Sequence, residues 1–558
     1  MKNALRAACT PTTLRTAFIF LAILLTFNAA LSSHRWIPAV SPLAVIVPTA
    51  ESLALLWLVI LSVHLGRIKR VITLGLVAAL FAIMTIFSAA EAFFQFIYAR
   101  PFSPAADLPM VRGGLLLLFG EIGALADTLA PLVIALIVVL FAAVGLAIGC
   151  SGSLLLRRWG YRLPPRVIAL SATLPLLVGL AAPQLLSADL VRSLAGDDGI
   201  DFVDAVEYSE RRNERVEAEP EAADYAFAGL LDRDIYVFVI EAYGYAAFSR
   251  DELYRQLAPD FARFSEVLER HGYGIKSNYL LAPVAGGFSW LAEATFLSGQ
   301  WINTQPRFEQ LYENQVTTLS GMLHDGGYYT FTLRPGTVHG SWPEAWDLYR
   351  FEEALVAYEG DFDYHGPGFS YVPITDQFAI WKAHKHIEQA QAPGGAAHQR
   401  PLLAYYQLVS SHTPFNRIPP YIEEWDALGD GTIYHERSDE ILTFDNTWGG
   451  GSQLDEGFVA SISYVFTVLS EYIDRFMDHD RSPIIIVFGD HQPQRPIREQ
   501  DAHLSVPIHI ASRDAEILQR FARYGYTQGI RGEQPAPHPR MSEFFPMFAE
   551  LARDTAQR

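Results

Sequence analysis

The hydrophobic pattern changes character near residue 190. Before it, polar residues only punctuate long apolar runs at 16–32, 39–64, 71–97, 129–150 and 166–187; after it, short apolar segments alternate with amphipathic ones. Each long run is near or above the ~20 residues a helix needs to cross ~30 Å of hydrocarbon, so the pattern predicts five membrane spans within 1–190. A further apolar patch, Gly113–Phe119, is too short to cross and reads as interfacial or re-entrant. Loop charges orient the set. Lys2 and Arg6 precede the first span, Arg67, Lys69 and Arg70 separate the second from the third, and Arg157, Arg158, Arg162 and Arg166 separate the fourth from the fifth. The opposite loops carry only Arg35, Arg100 and Arg112. The positive-inside rule then places the N-terminus in the cytoplasm and everything after about 190 outside a cytoplasmic (inner) membrane. A small-residue stretch, Asn28-Ala-Ala-Leu-Ser, also reads as a signal-peptide cleavage site, which leaves that topology unchanged.

A charged, Ala-rich stretch over 191–232 reads as a linker. Beyond it, strand-like runs at 235–240, 328–333, 402–409, 483–488 and 506–510 alternate with helical periodicity at 251–271, 315–324 and 457–477. This alternation predicts an α/β external domain over 233–558, with a mostly parallel sheet flanked by helices. The segments near 385–400 and 424–456 read as loops.

Charge sharpens the division. Residues 1–190 hold 13 Lys/Arg against 6 Asp/Glu; the rest holds 29 of the chain's 42 Lys/Arg and 55 of its 61 Asp/Glu. So acidic a domain argues against nucleic acid as a partner, and an anionic substrate there must be met by local cations. Both cysteines, Cys9 and Cys150, lie in the membrane part, so the external domain has no disulfide or thiol chemistry.

Candidate chemistry gathers at strand ends. The buried-strand run Pro483–Phe488 breaks at Gly489 and delivers Asp490 and His491 side by side, while Glu241 directly follows the strand 235–240. In open α/β sheets ligands bind at the C-terminal strand ends, and two carboxylates with an imidazole suit a divalent metal. Gly286-Gly287-Phe-Ser289 then places a hydroxyl where a helix starts. Such a serine is commonly an N-cap; beside a metal and a helix N-terminus it becomes a nucleophile toward phosphate.

The order Glu241, Gly-Gly-x-Ser289, Ser-Ser-His412-Thr-Pro-Phe and Gly-Asp490-His491 resembles the alkaline phosphatase/sulfatase superfamily, and within it the membrane-anchored lipoteichoic acid synthase and phosphoglycerol transferase branch. The resemblance implies that Glu241, Ser289, Asp490 and His491 hold one divalent metal, manganese favoured over zinc or magnesium, with Ser289 as nucleophile. It implies that His412 contacts the phosphate or leaving group. It further implies transfer of a phosphoglycerol-type headgroup from a membrane phospholipid to a glycan or lipid-linked acceptor. Arg334, Trp342, Trp346 and Arg350 are candidates for the headgroup pocket, although a solvated turn or a packed rim explains them as well. Three departures qualify the likeness. The nucleophile is Ser where relatives mostly use Thr, with Thr295 as a rival further along the helix; Ser289 lacks the x-Pro-x-Arg context of sulfatases; and the external cysteines usual in phosphoethanolamine transferases are missing. A phosphoethanolamine transferase and a membrane phosphodiesterase or phosphatase using water remain alternatives. Asp361, Asp363 and His365 read as a polar loop, and His503 and His509 as structural.

Overall fold

The computed structural model describes residues 11–31, 48–98, 124–159 and 233–556, the last with short gaps at 338–346, 358–359, 448–449, 499–502 and 533–536, besides a few single positions between 102 and 173. The chain divides into two compact units, Met1–Glu217 and Ala218–Arg558.

The first unit contains α1 (Pro11–Leu31), α2 (Ala50–His64), α3 (Arg67–Tyr98) and α4 (Ala124–Arg158). They fall on four of the expected spans; the fifth, 166–187, lies almost wholly outside the described residues. Among the described residues two helical stretches, Arg67–Gln95 and Ala135–Arg158, are long and apolar enough to cross a membrane, and Arg15–Leu31 and Ala50–His64 are shorter apolar helices. Their polar groups bond inward: Thr49 N–H and Ser52 Oγ donate to Asn28 Oδ1, and Ser62 Oγ meets Ser153 Oγ. A hydroxyl or amide without such a partner would be costly in hydrocarbon.

The second unit is an eight-stranded sheet between helices. In chain order its elements are β1 (Ile235–Ile240), α5 (Asp251–Arg270), β2 (Gly274–Leu281), α6 (Ser289–Ser298), α7 (Gln305–Glu313), α8 (Leu319–Asp325), β3 (Tyr329–Arg334), β4 (Glu353–Val356), α9 (Asp376–Gln391), β5 (Leu402–Leu408), α10 (Leu454–Arg475), β6 (Ile484–Gly489), β7 (Ser505–Ser512), α11 (Ala515–Ala522), β8 (Thr527–Gln528) and α12 (Phe544–Ala556). The spatial order is β8-β2-β7-β6-β1-β5-β3-β4. The five strands from β6 to β4 run parallel, and β7, β2 and β8 continue the sheet antiparallel on one side. The expectation of a mostly parallel sheet covered by helices holds, and the antiparallel extension adds to it.

Side-chain alternation explains why both faces are covered. Tyr236, Phe238 and Ile240 of β1 pack with α5, α9 and α10 on one face, while Ile235, Val237 and Val239 pack with α6, α8, α11 and α12 on the other. With every β1 residue buried, the chain reaches solvent only past the strand ends. The register Ile240↔Gly489 and Ile240↔Leu408 brings the C-terminal ends of β1, β6 and β5 level, so the residues after them share one rim.

Candidate metal centre and nucleophile

Glu241 and Asp490 each leave a central strand and turn at once. Ala242 takes a left-handed φ of 56°, and Gly489 is required because a Cβ there would sit 1.8 Å from the Tyr243 carbonyl oxygen. This close approach pulls the two turns together. Ala242 N–H (2.8 Å) and His491 N–H (2.6 Å) both donate to Asp490 Oδ1, leaving Oδ2 facing His491 Nε2 at 3.6 Å. His491 Nδ1 donates to the Gln492 carbonyl at 2.9 Å, which fixes the tautomer and turns Nε2 toward Glu241 Oε1 at 3.1 Å.

Ser289 arrives from the other direction as the first residue of α6. Gly286, Gly287 and Phe288 have φ of 69°, 145° and 65°. Only glycine adopts such values freely, so Phe288 carries backbone strain at the turn that leads into Ser289. The turn places Ser289 Oγ to donate to Glu241 Oε2 at 2.9 Å, with His491 Nε2 at 3.4 Å. Among the described residues, Glu241, Asp490 and His491 are the one group of His, Cys, Asp or Glu whose ligand atoms all lie within 4.8 Å of one another, and all three are buried. His412, after β5, donates from Nδ1 to the Thr413 carbonyl (2.6 Å) and holds Nε2 at 3.9 Å from Glu241 Oε1. Tyr371 stacks on its ring at 3.9 Å, and the neighbouring Ser411 Oγ donates to the Glu241 carbonyl at 2.6 Å.

The electrostatics show what the cluster lacks. Burial pushes the Asp490 carboxyl well above the usual carboxylate range, and the Glu241 charge reinforces the rise. Burial also raises Glu241, but His412 and His491 beside it more than offset this and hold it at about 2. Burial lowers His491, yet the two carboxylates push it up to about 9; burial dominates at His412 and lowers it. Two buried carboxylates that cannot both ionise comfortably around one imidazolium are short of positive charge. Hard oxygens from Glu241 and Asp490, the Nε2 of His491 and the Ser289 hydroxyl form a donor set that fits one divalent cation.

Of the other expected residues, Trp342 and Trp346 lie outside the described residues. Arg334 was expected to reach a phosphate oxygen, but it is buried and paired to Glu293, one turn below Ser289 on α6, at 2.5 Å. Gln407 Nε2 holds the other Glu293 oxygen at 2.9 Å, and Arg334 Nε donates to Thr332 Oγ1. The reason is register: Arg334 is still within β3, on the face that α6 covers, and has not reached the rim. Arg350 corrects more sharply. Its carbonyl accepts from Thr330 Oγ1, and Thr330 stands level with Ile235, the first residue of β1. That is roughly 20 Å along the strands from Glu241, and the side chain there forms a half-exposed ion pair with Asp325. Thr295 is fully buried, donating to the Leu291 carbonyl and accepting from Ile302 N–H, so it is no rival to Ser289. Asp361 caps the Val356 N–H, and His365 pairs with Asp363 on the surface. His509 is buried between Tyr243 and Ser277. Ser411 and Tyr371 escaped the sequence reading; the Ser-Ser-His-Thr run signalled the first, and nothing local signalled the second.

No family model and no curated protein matches the chain. Among solved structures, it is similar to a lipoteichoic acid synthase from Listeria monocytogenes, with 16% identity over 51% of this chain and 67% of that one and a TM-score of 0.33. The C-terminal periplasmic domain of EptC from Escherichia coli is 12% identical, with 60% and 84% covered and a TM-score of 0.34. The phosphoglycerol transferase GacH of Streptococcus pyogenes, solved with sn-glycerol-1-phosphate, is 10% identical, with 60% and 88% covered and a TM-score of 0.36.

Proposed function

We propose that the chain is a metal-dependent phosphotransferase that moves a phosphoglycerol-type headgroup from a membrane phospholipid to an acceptor hydroxyl through a covalent Ser289 intermediate. What supports this is the convergence of Glu241, Ser289, Asp490 and His491 from three distant segments: Glu241 lies 2.9 Å from Ser289 Oγ and 3.1 Å from His491 Nε2, and Asp490 Oδ2 lies 3.6 Å from the same nitrogen. These four would hold one divalent cation, manganese the favoured one. When bound, such an ion lowers the pKa of a coordinated oxygen and screens phosphate charge.

The protein groups divide the rest of the work. Ser289 Oγ attacks phosphorus in line; the Oγ–P bond forms as the bond to the diacylglycerol oxygen breaks. The proton Ser289 gives up balances the one the leaving oxygen takes. His412, its Nδ1 held by the Thr413 carbonyl and its Nε2 facing Glu241, would be the group that protonates the leaving oxygen. In the second half an acceptor hydroxyl gives its proton to His412 Nε2, its oxygen bonds to phosphorus, and Ser289 leaves and regains a proton. The first amides of α6 stabilise the equatorial oxygens in both halves. The apolar helices of residues 1–190 would keep the site at the outer face of the inner membrane, where the donor lipid lies.

The test is to incubate purified protein with phosphatidylglycerol or phosphatidylethanolamine and Mn²⁺ and to map adducts by mass spectrometry. A glycerol phosphate adduct on the Ser289 peptide supports the reading, and a phosphoethanolamine adduct changes the donor. Absence with every lipid and metal, in folded protein, refutes it.

A further inference from the structure

The turn that presents His412 is gripped by a carboxylate the reaction does not touch. Asp376, the first residue of α9, is fully buried, and among the described residues no cation pairs with it. Its two oxygens are used separately: Oδ1 accepts from Val409 N–H at 2.7 Å and Oδ2 from Ser410 N–H at 3.0 Å. Its own backbone N–H donates back to Ser410 Oγ at 2.9 Å, and Thr375 next to it caps α9 through Phe378 N–H. The end of β5 and the start of α9 are therefore bonded reciprocally by three hydrogen bonds.

The two residues after Ser410 both reach the site. Ser411 Oγ donates to the Glu241 carbonyl (2.6 Å), and His412 N–H closes a turn onto the Val409 carbonyl (3.0 Å) while Nε2 faces Glu241 Oε1. Val409 and Ser410, the residues Asp376 holds, are the base of that turn. We propose that Asp376 is a positioning residue for phosphotransfer: its carboxylate locks the Val409–His412 turn to α9 and so fixes His412 Nε2, and through Ser411 the Glu241 backbone, relative to Ser289. The inference rests on phosphotransfer being the reaction. A carboxylate is needed because both backbone groups it meets are donors. Asn offers one acceptor and sets an NH₂ donor against the other N–H, whereas Glu keeps two acceptors on a longer stem.

The test is a double-mutant cycle on the full-length protein, with phosphotransfer as the readout and the thermal midpoint as the folding control. Asp376→Asn lowers kcat roughly ten- to hundredfold, the scale of an ångström-level misplacement, with KM changed less than about threefold, and Asp376→Glu restores part of the loss. In a His412→Ala background the same substitution costs a factor at least about threefold smaller than in wild type, since the imidazole is gone and only the Ser411–Glu241 route remains. Should Asp376→Asn fail to fold, Ser410→Ala, which removes one bond of the lock, runs through the same cycle with the same expectation. Wild-type kcat in Asp376→Asn, or losses that multiply with His412→Ala, overturns the lock alone. A wild-type chain inert toward every donor overturns the phosphotransfer reading and the lock with it.

Discussion

The Glu293–Arg334 pair offers a quantitative separation of structural from substrate-binding roles. Arg334→Met removes the cation from a pair whose side chains are 3% and 2% exposed, stranding the Glu293 carboxylate on the buried face of α6. Breaking one half of such a pair costs about 3–5 kcal/mol. For a cooperative unit of Ala218–Arg558, an unfolding entropy of about 0.7 kcal/mol/K converts this to a midpoint lowered by about 4–7 °C. Adding Glu293→Leu removes the stranded charge. The double variant lies within about 2 kcal/mol of wild type, the remainder reflecting Gln407 and Thr332, which each lose a bond. Burial already raises the Glu293 pKa with Arg334 beside it, and losing Arg334 raises it further. A folded pKa above the unfolded one gives the folded state the extra proton, so the single variant weakens as pH rises from acid toward neutral. The assay is thermal unfolding of purified full-length protein between pH 5 and 8, with phosphotransfer measured alongside. A midpoint within about 1 °C of wild type, together with a kcat/KM loss above a hundredfold, would put Arg334 on the substrate and not in support of α6.

Further outcomes are expected at the rim. Gly489→Ala forces a methyl against the Tyr243 carbonyl; it lowers stability by about 1–3 kcal/mol or more and weakens metal binding, read by unfolding and by metal titration. The protein binds one equivalent of Mn²⁺ by elemental analysis; chelation abolishes transfer, and Asp490→Asn or His491→Ala lowers affinity at least about tenfold. Arg350→Ala, breaking only a half-exposed ion pair, leaves kcat/KM within about twofold and stability within about 0.5 kcal/mol. A larger fall in kcat/KM would return Arg350 to the site.

Legibility followed how local the signal was. Glu241 was readable because it directly follows an unbroken apolar run, Asp490 and His491 because a single glycine separates them from another, and Ser289 because two glycines and an apolar helix frame it. β2 escaped: Lys276, Ser277 and Asn278 look like a loop, yet Ser277 bonds to the buried His509 and Asn278 donates to the Tyr524 carbonyl. α9 escaped as well: its last turns fall within 385–400, read as loop, whereas the helix runs from Asp376 to Gln391 and stops before Ala392-Pro393. Arg334 and Arg350 show what position along the chain does not reveal. Arg334 ends β3 and Arg350 stands just ahead of β4, but whether an arginine meets the rim, the inside of a helix face or the opposite edge depends on sheet register. Asp376 had no signal at all, since its partners stand 33 and 34 residues away.

The proposed reaction stands on a covalent bond between Ser289 and the donor's headgroup phosphate. Its most direct measurement is a single-turnover reaction with headgroup-labelled phosphatidylglycerol and Mn²⁺, quenched and mapped in wild type and Ser289→Ala. The predicted result is label on the Ser289 peptide of the wild type that chases off when acceptor is added, with neither label nor transfer in Ser289→Ala. Label on another residue, or undiminished transfer by Ser289→Ala, would contradict it.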